Sequence, residues 1–274
     1  IKIKAFGVLQ TSSVLEQMRR ANMKLQEYLD SIKLTEKLNP LPFIHSCEGF
    51  LGEEIVKEDE LKTTVCPVFK KELLYFFYGK PAYYVADKET NSRTDELYCP
   101  CCFILDETKI KINTVYPFDS GGFMGKRYHD FFHDRMNIDN YALNTDLESI
   151  QKFVDVFFND NDNYINGISK TPSCINDTYI DSLINLFNAT GSFAIDERAR
   201  TIEIISDESV KLKDTVIGIV VPYNLYRKDS VREFIETNHI DFRTYFFRPL
   251  TKPSGYNQVV FERAIDLLRQ KGKL

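Results

Sequence analysis

Several things are missing from these 274 residues, and each absence removes a class of protein. No apolar run approaches the roughly 18 residues of a membrane span; the longest candidates are Leu73-Leu74-Tyr75-Phe76-Phe77-Tyr78 and Val216-Ile217-Gly218-Ile219-Val220-Val221. A membrane bundle is excluded, and the expected partners include no membrane. The opening Ile1-Lys2-Ile3-Lys4-Ala5-Phe6 has no signal-peptide pattern, so a cytoplasmic setting is expected. There is no excess of basic charge. Lys and Arg number 35 against 40 Asp and Glu, a net charge of -5, so no overall positive field draws in phosphate backbones. Six cysteines make too sparse a set for a disulfide framework in a chain with room for a real core, and reduced thiols are expected. No internal repeat and no tryptophan occur, and only the Asn/Asp-rich loop Asn159–Asn163 breaks an otherwise ordinary texture.

What is abundant is aromatic: 21 Phe and 15 Tyr in a chain that is 43% hydrophobic and 27% charged, the balance of a globular domain. Apolar residues at three- and four-residue steps predict a helix over about 12–33, opened by a Ser13/Glu16 capping box, and another after Thr145/Glu148. Weaker helical patterns cover Thr178–Asn188, Ser230–Thr237 and Val259–Gln270. Runs rich in aromatic and β-branched residues predict strands at Pro42–Ser46, Leu73–Tyr78, Ala82–Ala86, Cys101–Leu105, Ile110–Val115, Arg200–Ile205, Thr215–Val221 and Phe242–Phe247. Strands and helices do not alternate in strict turn, so a single α+β domain spanning 1–274 is expected rather than a doubly wound sheet.

Three segments carry candidate chemistry. Tyr78-Gly79-Lys80-Pro81-Ala82-Tyr83 is an apolar strand running into a turn, where glycine permits close approach and tyrosines offer stacking surfaces, although a buried hairpin has the same sequence. Phe43-Ile44-His45-Ser46-Cys47 ends a strand in an imidazole, a hydroxyl and a thiol. Glu203 interrupts the apolar strand Thr201-Ile202-Glu203-Ile204-Ile205, a costly place for an acid unless it has a partner or faces a cleft. The turn Tyr116–Phe123 adds Asp119 as a residue that can border a nucleotide pocket. A metal centre is not expected. His129 and His133 are four apart, and Cys99, Cys101 and Cys102 cluster, but no glutamate follows His129 and no second knuckle answers the cysteines.

His45, the Tyr78–Tyr83 segment and Glu203, in that order, resemble the histidine, tyrosine and glutamate layout of the ADP-ribosyltransferase superfamily. The middle segment is similar to that of DarT-like bacterial toxins, which attach ADP-ribose to nucleic-acid bases. The resemblance implies an ADP-ribosyltransferase-like fold with a central split sheet, mixed or antiparallel and flanked by helices, and NAD as a substrate. In it His45 would bond a ribose hydroxyl, the Ser46 region would fix the nicotinamide amide, and Tyr78 or Tyr83 would stack on the nicotinamide ring. Lys80 would stand where such toxins carry arginine, and Glu203 would stabilise the cationic sugar as nicotinamide leaves. Arginine-modifying members carry an acid or amide two residues before that glutamate; here the position is Thr201, which leaves a base, another side chain or water as acceptor. RNA or DNA is the expected acceptor, with Arg198, Arg200, Lys211, Lys213, Arg227 and Lys228 as candidate phosphate contacts. A toxin or anti-phage role would also call for an inhibitory antitoxin protein. Transfer to protein, NAD hydrolysis, a non-catalytic nucleotide-binding module and a zinc-binding module stand as alternatives.

Overall fold

A computed structural model of the chain describes residues 23–33, 38–82, 96–170, 175–189, 196–248 and 251–274. The first part of the expected N-terminal helix, with its Ser13/Glu16 box, lies outside these residues, as do Tyr83 and most of the strand expected at Ala82–Ala86. The strands are β1 (Phe43–Glu48), β2 (Glu60–Leu61), β3 (Thr64–Val65), β4 (Glu72–Tyr78), β5 (Pro100–Leu105), β6 (Thr114–Tyr116), β7 (Glu203–Ser206), β8 (Val210–Lys211), β9 (Val216–Pro222) and β10 (Asp241–Tyr245). The main sheet runs β10-β9-β5-β1-β4-β7-β6, with β3 paired to β4. Every neighbouring pair is antiparallel except β9 and β10, which are joined through helices Tyr223–Tyr226 and Asp229–Thr237 and run parallel. Expectation and structure agree on a mixed, mostly antiparallel sheet with helices around it.

β5 is buried along its whole length, which suits Pro100-Cys101-Cys102-Phe103-Ile104-Leu105, a run with no polar side chain. Helix Asn257–Gln270 covers the sheet at β5, β9 and β10, and helix Gly49–Glu58 packs at β1 and β5. Much of the aromatic surplus gathers in two clusters. One joins Phe118, Phe123, Tyr128, Phe132 and Tyr141; the other joins Phe153, Phe157, Phe158 and Phe187, extended by Tyr164 to Tyr78. The five described cysteines are free thiols. Among the described residues no helix is long and apolar enough to cross a membrane.

Several boundaries move for local reasons. Asp146, not Thr145, caps helix Leu147–Phe158, its carboxylate accepting from Ser149 N, because an acid one residue later reaches the same unpaired amides. Residues Glu197–Arg200 form a 3-10 turn capped by Asp196, so β7 starts only at Glu203. Residues Glu107–Lys109 form another, and the strand expected at Ile110–Val115 shrinks to Thr114–Tyr116. Part of the Asn/Asp-rich loop is a short helix, Asn161–Ile165, capped by Asp160.

Two features fix the framework of the cleft described below. β1 and β4 pair only at Phe43↔Tyr78 and Ile44↔Phe77, whereas β1 stays paired to β5 over its whole length, so the sheet parts between β1 and β4 beyond Ile44. At the other end of β4, Tyr164 ties two strands together: its hydroxyl donates to Tyr78 O at 2.9 Å and accepts from Ile202 N at 3.0 Å. The turn after Tyr78 needs its glycine. Gly79 sits at φ 68°, and a Cβ there would fall 2.4 Å from Leu41 Cδ1 and 3.1 Å from Leu41 Cβ. Gly79→Ala is expected to cost about 2–4 kcal/mol, the sum of left-handed strain and displaced packing. The check is a lower urea midpoint at unchanged slope.

Candidate active-site cleft

Alternation along β4 decides which aromatic rings meet solvent. Register pairs Phe77 with Glu203 and Tyr75 with Ile205, so Tyr75, Phe77 and Glu203 share one face, while Phe76 and Tyr78 point the other way. On the first face lies a cavity of about 330 Å³ bordered by His45, Ser46, Cys66, Tyr75, Phe77, Asp119, Ser120, Arg198 and Glu203 among others. Residues from β1, the β3–β4 turn, β4, the Tyr116–Phe123 turn and β7 therefore meet at one place.

Glu203 lies in the cavity wall and is 3% exposed. Its Oε1 accepts from Ser120 N at 3.3 Å. Burial, and then the nearby charge of Asp119, push its carboxyl up to about 8, with the Ser120 hydroxyl and then its amide opposing them. At that value the acid is mostly protonated at neutral pH. His45 fills the gap where β1 and β4 part: Nδ1 lies 3.0 Å from Tyr75 O. A carbonyl oxygen only accepts, so Nδ1 carries the hydrogen and Nε2 is left as an acceptor. Burial holds the imidazole below its ordinary value, which favours this neutral form.

Two hydroxyls on the cavity wall are buried: Ser46 Oγ has no hydrogen-bond partner among the described residues, and Ser120 Oγ has none beyond the Glu203 carboxyl beside it. Buried polar atoms in folded proteins are nearly always paired, so these two fit a ligand rich in hydroxyl or amide groups. Asp119 is not free to act as a base. Its Oδ2 accepts from Arg127 Nη2 at 2.8 Å and lies 3.7 Å from Arg198 Nη1, while Arg198 is also forked onto Asp196. Asp119 therefore orders the turn that presents Ser120 and keeps Arg198 at the cavity edge.

Three expected site residues need correction or restatement. Tyr78 is fully buried on the opposite face of β4, its hydroxyl accepting from Leu41 N at 2.9 Å and its ring against Phe43 and Tyr164, so it offers no stacking surface to the cleft. Tyr75 and Phe77 are the β4 rings that border the cavity. Lys80 is equally buried: Nζ donates to Tyr164 O at 3.2 Å, lies 3.6 Å from Glu197 Oε2 and sits 4.8 Å from the centre of the Tyr164 ring. Burial lowers its ammonium to about 8, with Glu197 pulling the other way. It braces the turn and does not border the cavity. Tyr83 falls outside the described residues. His45, Ser46, Asp119 and Glu203 border one cavity; Arg198, expected as a phosphate contact, stands at its edge, and Cys66, Tyr75, Phe77 and Ser120 were not singled out from the sequence.

The basic residues proposed for phosphate are mostly engaged. Lys211 lies 3.8 Å from Glu60 and Lys213 3.5 Å from Asp59, Lys228 pairs with Glu53, and Arg200 donates to Ala189 O. Among the described residues no three His, Cys, Asp or Glu side chains form a metal-holding group. His129 pairs with Asp130 at 3.2 Å, and His133 Nδ1 accepts from Arg135 N. Comparison with family models, with curated proteins and with solved structures returns no match to this chain, so any functional reading rests on the cleft itself.

Proposed function

We propose that the chain is an ADP-ribosyltransferase that binds the nicotinamide-ribose end of NAD in this cleft, cleaves the glycosidic bond and transfers ADP-ribose to a nucleic-acid base. One observation carries the proposal: a buried carboxyl shares a small cavity with a histidine whose free nitrogen accepts, with the Ser120 hydroxyl beside it and with the unpartnered hydroxyl of Ser46. At about 330 Å³ the cavity is at the small end of the 300–1,000 Å³ usual for small-molecule sites, which suits one end of a dinucleotide rather than the whole.

The chemistry follows from the geometry. A ribose hydroxyl donates to His45 Nε2, and Ser46 and Ser120 bond the remaining hydroxyl and amide groups. Tyr75 and Phe77 give the planar ring an aromatic wall. The pyridinium charge, entering beside Glu203, draws the proton off the carboxyl. As the bond to nicotinamide stretches, positive charge grows on the sugar, and the ionised Glu203 stabilises it in a site where little water competes. The acceptor then attacks the anomeric carbon.

Arginine is disfavoured as the acceptor, because Thr201 is buried and spends its hydroxyl on Glu197 O at 2.6 Å, leaving no acid two residues before Glu203. Nucleic acid is favoured by the lysines around β8 and helix Asp229–Thr237. Their carboxylate partners are surface pairs worth about 0–1 kcal/mol, readily exchanged for phosphate. The test is incubation with NAD labelled in the adenylate half, alongside RNA, DNA and protein. Release of nicotinamide with label retained on RNA or DNA is expected. Label on protein, or only in free ADP-ribose, defeats the acceptor assignment; no nicotinamide release defeats the enzyme.

A further inference from the structure

The tight turn between β3 and β4 sets a single cysteine into the cleft wall. Cys66 N donates to Lys71 O at 2.8 Å and Lys70 N to Cys66 O at 2.9 Å, which closes the turn on itself. Three donors then converge on the sulfur: Val68 N at 3.4 Å, Phe69 N at 3.5 Å and the Tyr75 hydroxyl at 2.9 Å. A neutral thiol is a weak acceptor, and so many donors on one sulfur make the surroundings of a thiolate. Burial pushes the thiol up, but the Phe69 amide, the Tyr75 hydroxyl, the Val68 amide and the charge of Lys70 outweigh it and leave the group below an ordinary cysteine.

The rest of the sheet provides the contrast. Cys47 is pushed well up by its hydrogen bond with Cys101 and by burial, and burial does the same to Cys102. Both are core thiols. Cys66 is 7% exposed and its surface borders the cavity. A second, independent feature says that something is meant to occupy the space it faces: on the same cavity wall Ser46 Oγ is buried with no hydrogen-bond partner among the described residues, and Ser120, 1% exposed, has none for its hydroxyl beyond the Glu203 carboxyl.

We infer that Cys66 is a covalent modification site, at which a low-molecular-weight disulfide attaches to Sγ from within the cleft. The thiolate attacks one sulfur of the disulfide. A new Sγ–S bond forms as the S–S bond breaks, and the departing sulfur leaves as a thiolate that takes a proton from water. Cys66 is oxidised and the departing half is reduced; a second thiol reverses the exchange. The attached group then occupies the space in front of Ser46, Ser120 and Glu203. Attachment stands on the geometry alone, whereas its effect on turnover rests on the NAD reading above.

The experiment treats the full chain under native conditions with dithiobis(nitrobenzoate), following release of the coloured thiolate from pH 5.5 to 9 and mapping the adduct by peptide mass. One thiol per chain is expected to react at pH 6 about tenfold faster than a free cysteine, because more of it is ionised there. The adduct maps to Cys66, and Cys66→Ser removes the fast phase. Tyr75→Phe slows that phase several-fold at pH 6 and moves its pH midpoint upward, which a purely structural tyrosine would not do. A fast phase that survives Cys66→Ser, or a wild-type adduct on Cys66 forming no faster than on a free thiol, overturns the inference. Glutathione disulfide is then expected to stop nicotinamide release and dithiothreitol to restore it. A Cys66 adduct on a chain that never releases nicotinamide leaves the modification site standing and overturns the NAD reading instead.

Discussion

Glu203→Gln is expected to slow the release of nicotinamide from NAD by about 100- to 1,000-fold, the range seen when one preorganised electrostatic partner of a charged transition state is removed. The substitution keeps the size of the side chain and its capacity to accept from Ser120 N, so the loss measures charge and not packing. The effect belongs on kcat, because the neutral amide can still bond the sugar in the ground state. The pH profile supplies an independent check. With the resting carboxyl titrating near 8, kcat/KM of the wild type rises about tenfold per pH unit below that point and levels off above it. Glu203→Gln should leave a flat residual rate. A wild-type profile already level from pH 5 to 8 would mean that the ionised form of Glu203 is not the one at work.

The same carboxyl burdens the fold, and the second large effect is on stability. In the native state Glu203 titrates at about 8, far above the 4.5 of an ordinary glutamate. Between those values the native protein holds a proton that the unfolded chain has lost, so stability falls as pH rises through this window and the whole cost is present above it. The shift corresponds to a cost on the order of 5 kcal/mol. Lys80 works in the opposite sense. Its native value of about 8 lies below the 10.5 of a free lysine, so its cost is present below pH 8 and disappears as pH rises towards 10.5. The two penalties overlap near pH 8, where these groups make the native state least stable. Thermal unfolding of Glu203→Gln at pH 8 should therefore lie several degrees above wild type, with the gain vanishing near pH 4.5. An equal gain at both pH values would place the effect in packing and not in ionisation.

The sequence was readable where a single residue broke a pattern. Glu203 stood out because an acid in an apolar strand needs a reason, and His45 and Ser46 because they end a strand in polar groups; all three border the cavity. The α+β class and most of the longer helices could be read because apolar periodicity survives single-residue shifts at their ends, although helix Gly49–Glu58 was not. Legibility failed where neighbours were chemically alike. In Leu73–Tyr78 every residue is apolar or aromatic, so alternation alone could not say whether Tyr75 and Phe77 or Phe76 and Tyr78 faced out; only pairing to Glu203 and Ile205 fixes the parity. Lys80 was placed among the cofactor contacts by resemblance alone; a phenol ring and carbonyl from Tyr164, remote in sequence, bury it instead. Cys66 carried no signal, since its character comes from backbone amides in a turn whose closure no side-chain pattern announces.

Tyr164 belongs to neither strand that it joins, yet its one hydroxyl holds the end of β4 beside the lead-in to Glu203. The spacing between the acid's strand and the histidine's neighbour is thus governed by a side chain from a short helix that carries no part of the chemistry. A lineage drifting at this phenol could keep every recognisable strand and turn and still lose the alignment of the carboxyl. Relatives sought by their short signatures alone would include such misaligned descendants, and only the presence of the clasp would tell them apart.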